Sequence, residues 1–161
     1  MYRKGHYGVS LLVFAPAGYL LVRAGAPLPA LATGGVLVWL AMLPDVDHRL
    51  PGVPHRGPTH SLLFAGLVGA AFAGAASLLP PSLAAGAVPF GAVPYAFALG
   101  AGSVLAHLLA DTLTPAGVPY LWPLPATYSL GLVRADDTLA NYGLLAAGCL
   151  TATATLYVGG L

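Results

Sequence analysis

Charged residues are scarce in this sequence. They make up 7% of its 161 residues, glutamate is absent, and 58% of the residues are hydrophobic. An ordinary soluble domain carries about 25% charged residues, so this chain has too little polar surface to cover a water-soluble globule. The scarcity of charge therefore excludes an ordinary soluble protein and favours a membrane protein.

Cysteine is nearly absent as well. Cys149 is the only one, so an internal disulfide is excluded and the redox compartment is undefined. We expect Cys149 to be a small apolar residue in the core of the last helix.

The net charge is +1 and the basic residues form no stripe, so the sequence has no signature of nucleic-acid binding.

In place of charge the chain has a series of apolar runs. A bilayer core of about 30 Å requires about 20 apolar residues in a spanning helix. The length of the runs favours helix over strand, and open strands in lipid leave backbone groups unpaired. Five runs come near that length, at 7–23, 29–43, 61–79, 93–110 and 139–159. The sequence predicts one all-α integral membrane domain over residues 1–161, a bundle of about five transmembrane helices.

Local patterns refine this bundle. The two basic residues before the first run also fit a secretory signal, but four further runs make an uncleaved first span the simpler interpretation. Gly66, Ala70 and Gly74 recur every four residues, which would let another helix approach closely and allows a helix–helix homo-oligomer. The proline-rich stretch 78–94 predicts an external turn.

Topology predicts that the polar residues gather on one side. Five spans place the N-terminus, the loop 44–60 and the segment 111–138 on the same face. Only Arg23 among the basic residues lies on the other face; the rest are Arg3, Lys4, Arg49, Arg56 and Arg134. By the positive-inside rule the first face is cytoplasmic. We therefore predict an inner (cytoplasmic) membrane protein with its site on the cytoplasmic side.

The same face receives every histidine and every acid. These residues are His6, His48, His55, His60, His107, Asp45, Asp47, Asp111, Asp136 and Asp137. Such a cluster at a membrane boundary is costly unless its members are paired or coordinated. Histidine and aspartate ligands suit zinc, manganese or another divalent ion. We therefore predict a metal site, with Asp136 and Asp137 set aside as acids at a helix start.

Spacing suggests how individual residues contribute. His107 and Asp111 are four residues apart, so they project from the same face of a helix. Asp45 and Asp47 are alternate positions of an extended turn and should point the same way, so both could reach a cation while one also supports a histidine; the alternative for Asp47 is an Asx-type turn. His48, His55 and His60 follow in the same loop, and Thr59 or Ser61 is a plausible N-cap of the next helix.

The expected chemistry is hydrolysis. A divalent ion lowers the pKa of bound water to about 7, and a phosphoester in a lipid or a nucleotide would suit such a site. Arg56 is the candidate for holding phosphate, or is a surface charge that sets topology; Asp47 and His55 complete the predicted catalytic group. The rival hypothesis is a non-catalytic metal-sensing or regulatory scaffold. Metal transport is least favoured because the span interiors nearly lack ionisable groups.

Four motifs together resemble a known family. They are GH at 5–6, LPDVDH at 43–48, HRGPTHSLL at 55–63 and AHLLADTLTPAGVPYLWP at 106–123. They resemble the YdjM-like family of multi-pass membrane proteins, described as candidate metal-dependent hydrolases and distantly similar to zinc-dependent phospholipase C and P1 nuclease.

The resemblance implies a ligand set and a metal count. The implied ligands are His6, Asp45 or Asp47, His60, His107 and Asp111, with Asp111 bridging. One or two ions are implied rather than three, because the chain has no Glu and no His after His107. The tail TPAGVPYLWP is expected to lie at the membrane interface, with Tyr120 and Trp122 at headgroup level, or to form a wall of the site that meets lipid headgroups.

Overall fold

The computed structural model describes residues 1–80, 88 and 90–161, and these residues form an all-helical bundle. Its helices are α1 (Arg3–Arg23), α2 (Pro27–Trp39), α3 (Leu62–Ser77), α4 (Ala92–Thr112) and α5 (Thr138–Gly159). Three short 3₁₀ segments, Leu40–Met42, Pro44–Arg49 and Pro58–His60, lie between α2 and α3. The all-α prediction is confirmed. Most of the predicted turn at 78–94 lies outside the described residues.

Four stretches in the described part of the chain are long and apolar enough to cross a membrane. They are Arg3–Arg23, Pro27–Arg49, Ala92–Thr112 and Thr138–Gly159. The second is longer than the predicted run because the 3₁₀ turns carry the chain on from α2 to Arg49. Helix α3 has 16 residues, which rise about 24 Å against a bilayer core of about 30 Å. It is shorter than the four stretches above, although in the sequence the second run, 29–43, is the shortest of the five predicted spans.

Side-chain caps begin the two helices that follow the polar loops. Ser61 Oγ accepts a hydrogen bond from Phe64 N at 3.2 Å at the start of α3. Asp137 Oδ1 accepts one from Ala140 N at 3.0 Å at the start of α5. Both bonds satisfy backbone donors that a helix leaves open in its first turn. Of the two predicted caps of α3, the structure therefore has Ser61, and Asp137 takes the predicted helix-start role.

Helix α1 lies at the centre of the bundle and packs against α5, α2 and α4, while α3 packs against α4. Glycine allows the closest approaches. A Cβ on Gly148 of α5 would collide with the backbone of Gly8 in α1, and a Cβ on Gly69 of α3 would lie 2.9 Å from Phe97 O in α4. The helix–helix contacts thus depend on positions where no side chain fits.

The predicted small-residue face is open within the bundle: Gly66 and Gly74 have space beside them, because α3 faces α4 with Gly69 instead. The expectation that Cys149 lies in the core is wrong. Cys149 is exposed: Gly148 faces α1, and the rotation of about 100° per helical residue turns Cys149 to the outside of the bundle. A homo-oligomer stays a prediction.

We expect Gly148→Ala to lower the thermal unfolding midpoint of the detergent-purified protein. The added methyl group meets the backbone of Gly8, which cannot move aside as a side chain does, and overpacking of this kind costs typically 1–3 kcal/mol. Gly143→Ala in the same helix is the matched control, because its Cβ meets nothing within 4 Å. Equal midpoints for the two variants, measured by circular dichroism, would refute the close α1–α5 contact.

The polar ends of all five helices meet at one end of the bundle. Helices α1, α3 and α5 begin there, and α2 and α4 end there. Asn141 in α5 holds this end together: its Oδ1 accepts from Tyr2 N at 3.1 Å and its Nδ2 donates to Ala135 O at 3.0 Å. The fold therefore brings His6 to the same level as the end of α4, where the rings of His6 and His107 stack at 4.0 Å.

Candidate metal centre

Two histidine nitrogens and two carboxylate oxygens face one another at the polar end of the bundle. His60 Nε2 and His107 Nε2 are 3.2 Å apart. Asp45 Oδ1 lies 3.4 Å from the first nitrogen and 3.5 Å from the second, and Asp111 Oδ2 lies 3.7 Å from both. His60, His107 and Asp111 are buried, and Asp45 is 19% exposed. We call these four atoms the inner centre.

Hydrogen bonds on the far side of each ring decide which nitrogen carries the proton. His107 Nδ1 lies 2.7 Å from Ala41 O, and a carbonyl oxygen only accepts, so Nδ1 is the donor. His60 Nδ1 lies 3.0 Å from Thr59 Oγ1, whose own proton goes to Asp47 Oδ2 at 2.9 Å. Nδ1 of His60 is therefore a donor too. Both neutral rings point a lone pair at the inner centre.

The distances measured from the two histidine nitrogens fit a tetrahedral ion. A zinc ion bound at about 2.0–2.1 Å has ligand atoms about 3.3–3.4 Å apart, and the five separations given above run from 3.2 to 3.7 Å. At this spacing the lone pairs of His60 Nε2, His107 Nε2 and Asp45 Oδ1 repel one another unless a cation or a proton lies between them. The geometry therefore suits a divalent cation held by His60, His107 and Asp45, whose ligand atoms all lie within 4.8 Å of one another, with Asp111 Oδ2 as the next nearest oxygen.

Asp111 presents its two oxygens to different neighbours. Oδ2 belongs to the inner centre, whereas Oδ1 lies 3.5 Å from His6 Nε2 and accepts from the amino group of Met1 at 2.6 Å. Neither ring nitrogen of buried His6 has a hydrogen-bond partner among the described residues. Because unpaired buried polar atoms are costly, His6 has the character of a ligand beside Asp111. The bridging role that the resemblance to zinc-dependent phospholipase C and P1 nuclease implies for Asp111 stays a prediction.

Asp47 supports His60 and does not face the inner centre. Its Oδ2 accepts from Thr59 Oγ1 at 2.9 Å and from Arg56 N at 3.2 Å, and lies 3.3 Å from His60 Nδ1. Asp45 and Asp47 do not point the same way, but one oxygen of each lies within 4.8 Å of the other and of His48 and His55, so both could still reach one cation. Residues 44–49 form a 3₁₀ segment rather than an extended turn. Side chains two residues apart in such a segment are rotated by about 240° around its axis.

We expect Asp47→Asn to weaken metal binding without abolishing it. Loss of the carboxylate removes the partner that orients His60 and raises its basicity, and such losses cost about 10–100-fold in metal affinity. The measurement is a competition titration of zinc against a chromophoric chelator. Asp136→Asn, the same chemical change at an exposed acid, should leave affinity unchanged. If Asp47→Asn bound zinc as tightly as wild type, Asp47 would have no supporting role in metal binding.

The structure places the other predicted site residues around this centre. His55 is 39% exposed, its Nδ1 lies 3.1 Å from Asp47 Oδ1, and its ring stacks on exposed His48 at 3.9 Å. One ligand atom each from His48, His55, Asp45 and Asp47 falls within 4.8 Å of the others. His48 and His55 thus form an outer group with Asp45 and Asp47 that could hold a metal ion, and Asp45 belongs both to this group and to the inner centre.

Arg56 is next to the inner centre, where sequence reasoning expected a phosphate-binding group. Its Nη2 contacts Asp111 Oδ2 at 3.1 Å and its Nη1 donates to Gly117 O at 2.7 Å. The guanidinium has five N–H donors, so these two contacts leave others for a ligand. Arg56 has a positive φ of 58°, a conformation that non-glycine residues seldom adopt.

Asp136 and Asp137 are away from the centre, as expected. Both carboxylate oxygens of Asp136 accept from the Arg134 guanidinium at 3.1 Å, and this cation lowers the pKa of Asp136.

Sequence reasoning missed two groups that contact the site histidines or their supports. Thr59 was expected only as a cap, and the Ala41 carbonyl is exposed to His107 by a 3₁₀ turn that has no distinct sequence signal.

Fold and site together define a class: a multi-pass helical membrane protein with a His and Asp cluster that could hold a metal ion at one end of the bundle. The family described as YdjM inner membrane protein matches residues 1–160. The chain belongs to this family, and the predicted resemblance is confirmed. The similarity to zinc-dependent phospholipase C and P1 nuclease stays a prediction.

Curated relatives agree with the membrane assignment. The chain is 35% identical over 147 residues to the inner membrane protein YdjM of Escherichia coli (strain K12), a match that covers 76% of this chain and 66% of the relative. The inner membrane protein YdjM of Shigella flexneri matches with the same figures. The chain thus matches slightly less than two thirds of the length of these relatives. No solved structure matches it.

Proposed function

We propose that this protein is a membrane-embedded metal-dependent hydrolase that acts on a phosphoester of a lipid or nucleotide type. The observation that carries the proposal is the inner centre, in which the lone pairs of His60 and His107 and the carboxylates of Asp45 and Asp111 converge. Zinc suits this donor set best, with manganese as an alternative. One ion fits the inner centre, and His6 with Asp111 Oδ1 would hold a second.

The residues around the centre have separable tasks. A bound divalent ion would polarise a phosphoryl oxygen and activate a water molecule. Arg56 has guanidinium donors beside Asp111 with which to bind the phosphate. Asp47 orients both His60 and His55, and it fixes Nδ1 of His55 as a donor, which leaves Nε2 of this half-exposed ring as the proton acceptor.

A second function is favoured by one specific feature. Structural zinc sites are closed by four protein ligands, whereas catalytic sites keep one position for water. The inner centre offers four protein atoms, and three of their residues are buried. This ligand count favours a non-catalytic metal sensor or regulatory scaffold. Hydrolysis instead requires Asp45, the exposed member, to leave room for water or the ion to take a fifth ligand.

The positive-inside rule supports a cytoplasmic location for the site. Five of the six basic residues lie at the end of the bundle that carries the inner centre, and Arg23 lies at the other end of α1. Basic residues are retained on the cytoplasmic side of a membrane. We therefore propose that substrate reaches the site from the cytoplasm or the inner leaflet.

Metal removal tests the proposal. The detergent-purified protein is treated with EDTA, and hydrolysis of bis(4-nitrophenyl) phosphate and of vesicle phospholipid is followed before and after zinc or manganese is restored. We expect activity to disappear and return with the ion. Metal at a hundred times its dissociation constant should also stabilise the fold by about 2.7 kcal/mol. Stabilisation by metal without turnover of any phosphoester would favour the sensor. If metal neither stabilised the protein nor supported hydrolysis, both functions would be rejected.

A further inference from the structure

The segment between α4 and α5, residues 113–137, exposes a group of large apolar side chains. Leu124, Leu130 and Leu132 are 58%, 60% and 69% exposed, and Leu121, Trp122 and Tyr128 are each more than a third exposed. Isolated exposed leucines need no explanation, but a group of six within twelve residues outside any helix marks a contact surface. We call residues 113–137 the α4–α5 segment.

The α4–α5 segment is built against the bundle. Leu130 N donates to Thr112 O at 2.8 Å, and Leu62 N at the start of α3 donates to Tyr120 O at 2.9 Å. Val118 is fully buried and packs in a core cluster with residues of α3 and α4. The exposed apolar side chains therefore lie on a surface of defined shape beside the helix ends.

Both ends of the segment lie at the same membrane boundary, because α4 ends at Thr112 and α5 begins at Thr138. Non-helical backbone is not tolerated in hydrocarbon where lipid would leave its N–H and C=O groups unpaired, and bulk water disfavours six exposed apolar side chains. The headgroup layer accommodates both, and tryptophan and tyrosine concentrate there.

The charge at this end of the bundle selects the kind of lipid. Its exposed bases are Arg3, Lys4, Arg49 and Arg134, and its exposed acids are Asp136 and Asp137. The bond from Tyr2 N to Ala135 O, 3.2 Å, brings the start of α1 beside the segment. Arg134 is paired with Asp136, so the exposed positive charge that complements anionic phosphate groups is that of Arg3, Lys4 and Arg49.

We propose that the α4–α5 segment seats in the headgroup layer of the bilayer and binds anionic phospholipid there. The inference goes beyond the proposed hydrolysis and does not depend on it. The segment is also bonded to a residue beside the inner centre, because Gly117 O in the segment accepts a hydrogen bond from Arg56 Nη1 at 2.7 Å. Lipid phosphates bound at this surface would lie on the side of the molecule that carries Arg56.

Fluorescence of Trp122 measures where the segment lies. The chain has two tryptophans, and Trp39→Phe, at a position 78% exposed, leaves Trp122 as the only reporter. The full chain is reconstituted in phosphatidylcholine vesicles with or without phosphatidylglycerol. We expect lipids brominated near the ester end of the acyl chain to quench Trp122 more strongly than lipids brominated near the chain end. Acrylamide should quench weakly, and phosphatidylglycerol should increase the lipid quenching.

Other outcomes overturn the proposal. Strong quenching by acrylamide with none by lipid would place the segment in water, and equal lipid quenching with and without phosphatidylglycerol would remove the preference for anionic lipid. A second copy of the chain covering the surface would protect Trp122 from both quenchers. Leu124→Ser with Leu130→Ser should shift Trp122 towards water, whereas Leu50→Ser, an exposed leucine of another loop, should not.

Discussion

His107→Ala is expected to abolish tight metal binding. His107 Nε2 faces three other atoms of the inner centre, at 3.2 Å from His60, 3.5 Å from Asp45 and 3.7 Å from Asp111. Loss of a supporting residue costs about 10–100-fold in affinity, and loss of a direct ligand should cost more. Competition titration with zinc, together with the metal content of the purified protein, measures the effect.

A matched control separates coordination from packing. Ser103 lies one turn earlier in α4, is fully buried, and donates its hydroxyl to Leu99 O at 2.8 Å. Ser103→Ala should therefore keep wild-type metal content and affinity. Circular dichroism would verify that both variants keep their helices. A folded His107→Ala protein that binds zinc as tightly as wild type would show that this ring is not a ligand.

Asp111→Asn is expected to reduce phosphoester hydrolysis by at least about a thousandfold. The neutral amide keeps the shape of the side chain but removes the charge that faces His60 and His107 through Oδ2 and His6 through Oδ1. Metal ions supply several kcal/mol of transition-state stabilisation, and each 1.36 kcal/mol is a factor of about ten in rate. The rate with bis(4-nitrophenyl) phosphate at saturating zinc measures the loss.

Asp136→Asn is the control for this change, because it makes the same substitution at an exposed acid paired with Arg134. Its rate should equal that of wild type. If Asp111→Asn and Asp136→Asn were equally active, the activity would arise outside the inner centre, and the proposed hydrolysis at this site would be rejected. If wild type bound metal but were inactive, the sensor would be the better account.

Much of the site was predictable because a membrane bundle leaves few places for polar residues. The apolar runs define the spans, the spans define the faces, and His6, His107 and Asp111 then have to meet at one end. The spacing of His107 and Asp111 on one helical face also needed only the helix period. Both features follow from the helix period and from the order of the apolar spans, which can be read from a single sequence.

The division of labour between Asp45 and Asp47 was not predictable. It depends on the 3₁₀ segment Pro44–Arg49, which turns Asp45 towards His107 and Asp47 towards Thr59. Short turns of this kind are decided by tertiary contacts more than by local propensity. The choice of Gly69 instead of Gly66 for the α3–α4 contact likewise depends on the rotation of one helix against another, to which a uniformly apolar run gives no clue.

The most direct test of the central claim is an anomalous-diffraction map of the zinc-loaded protein at the zinc edge. We predict one strong peak between His60 Nε2, His107 Nε2, Asp45 Oδ1 and Asp111 Oδ2, about 2.0–2.2 Å from each ligating atom. A weaker second peak beside His6 would mark a second ion. A fully zinc-loaded crystal with no peak among these four atoms would show that the inner centre does not bind metal.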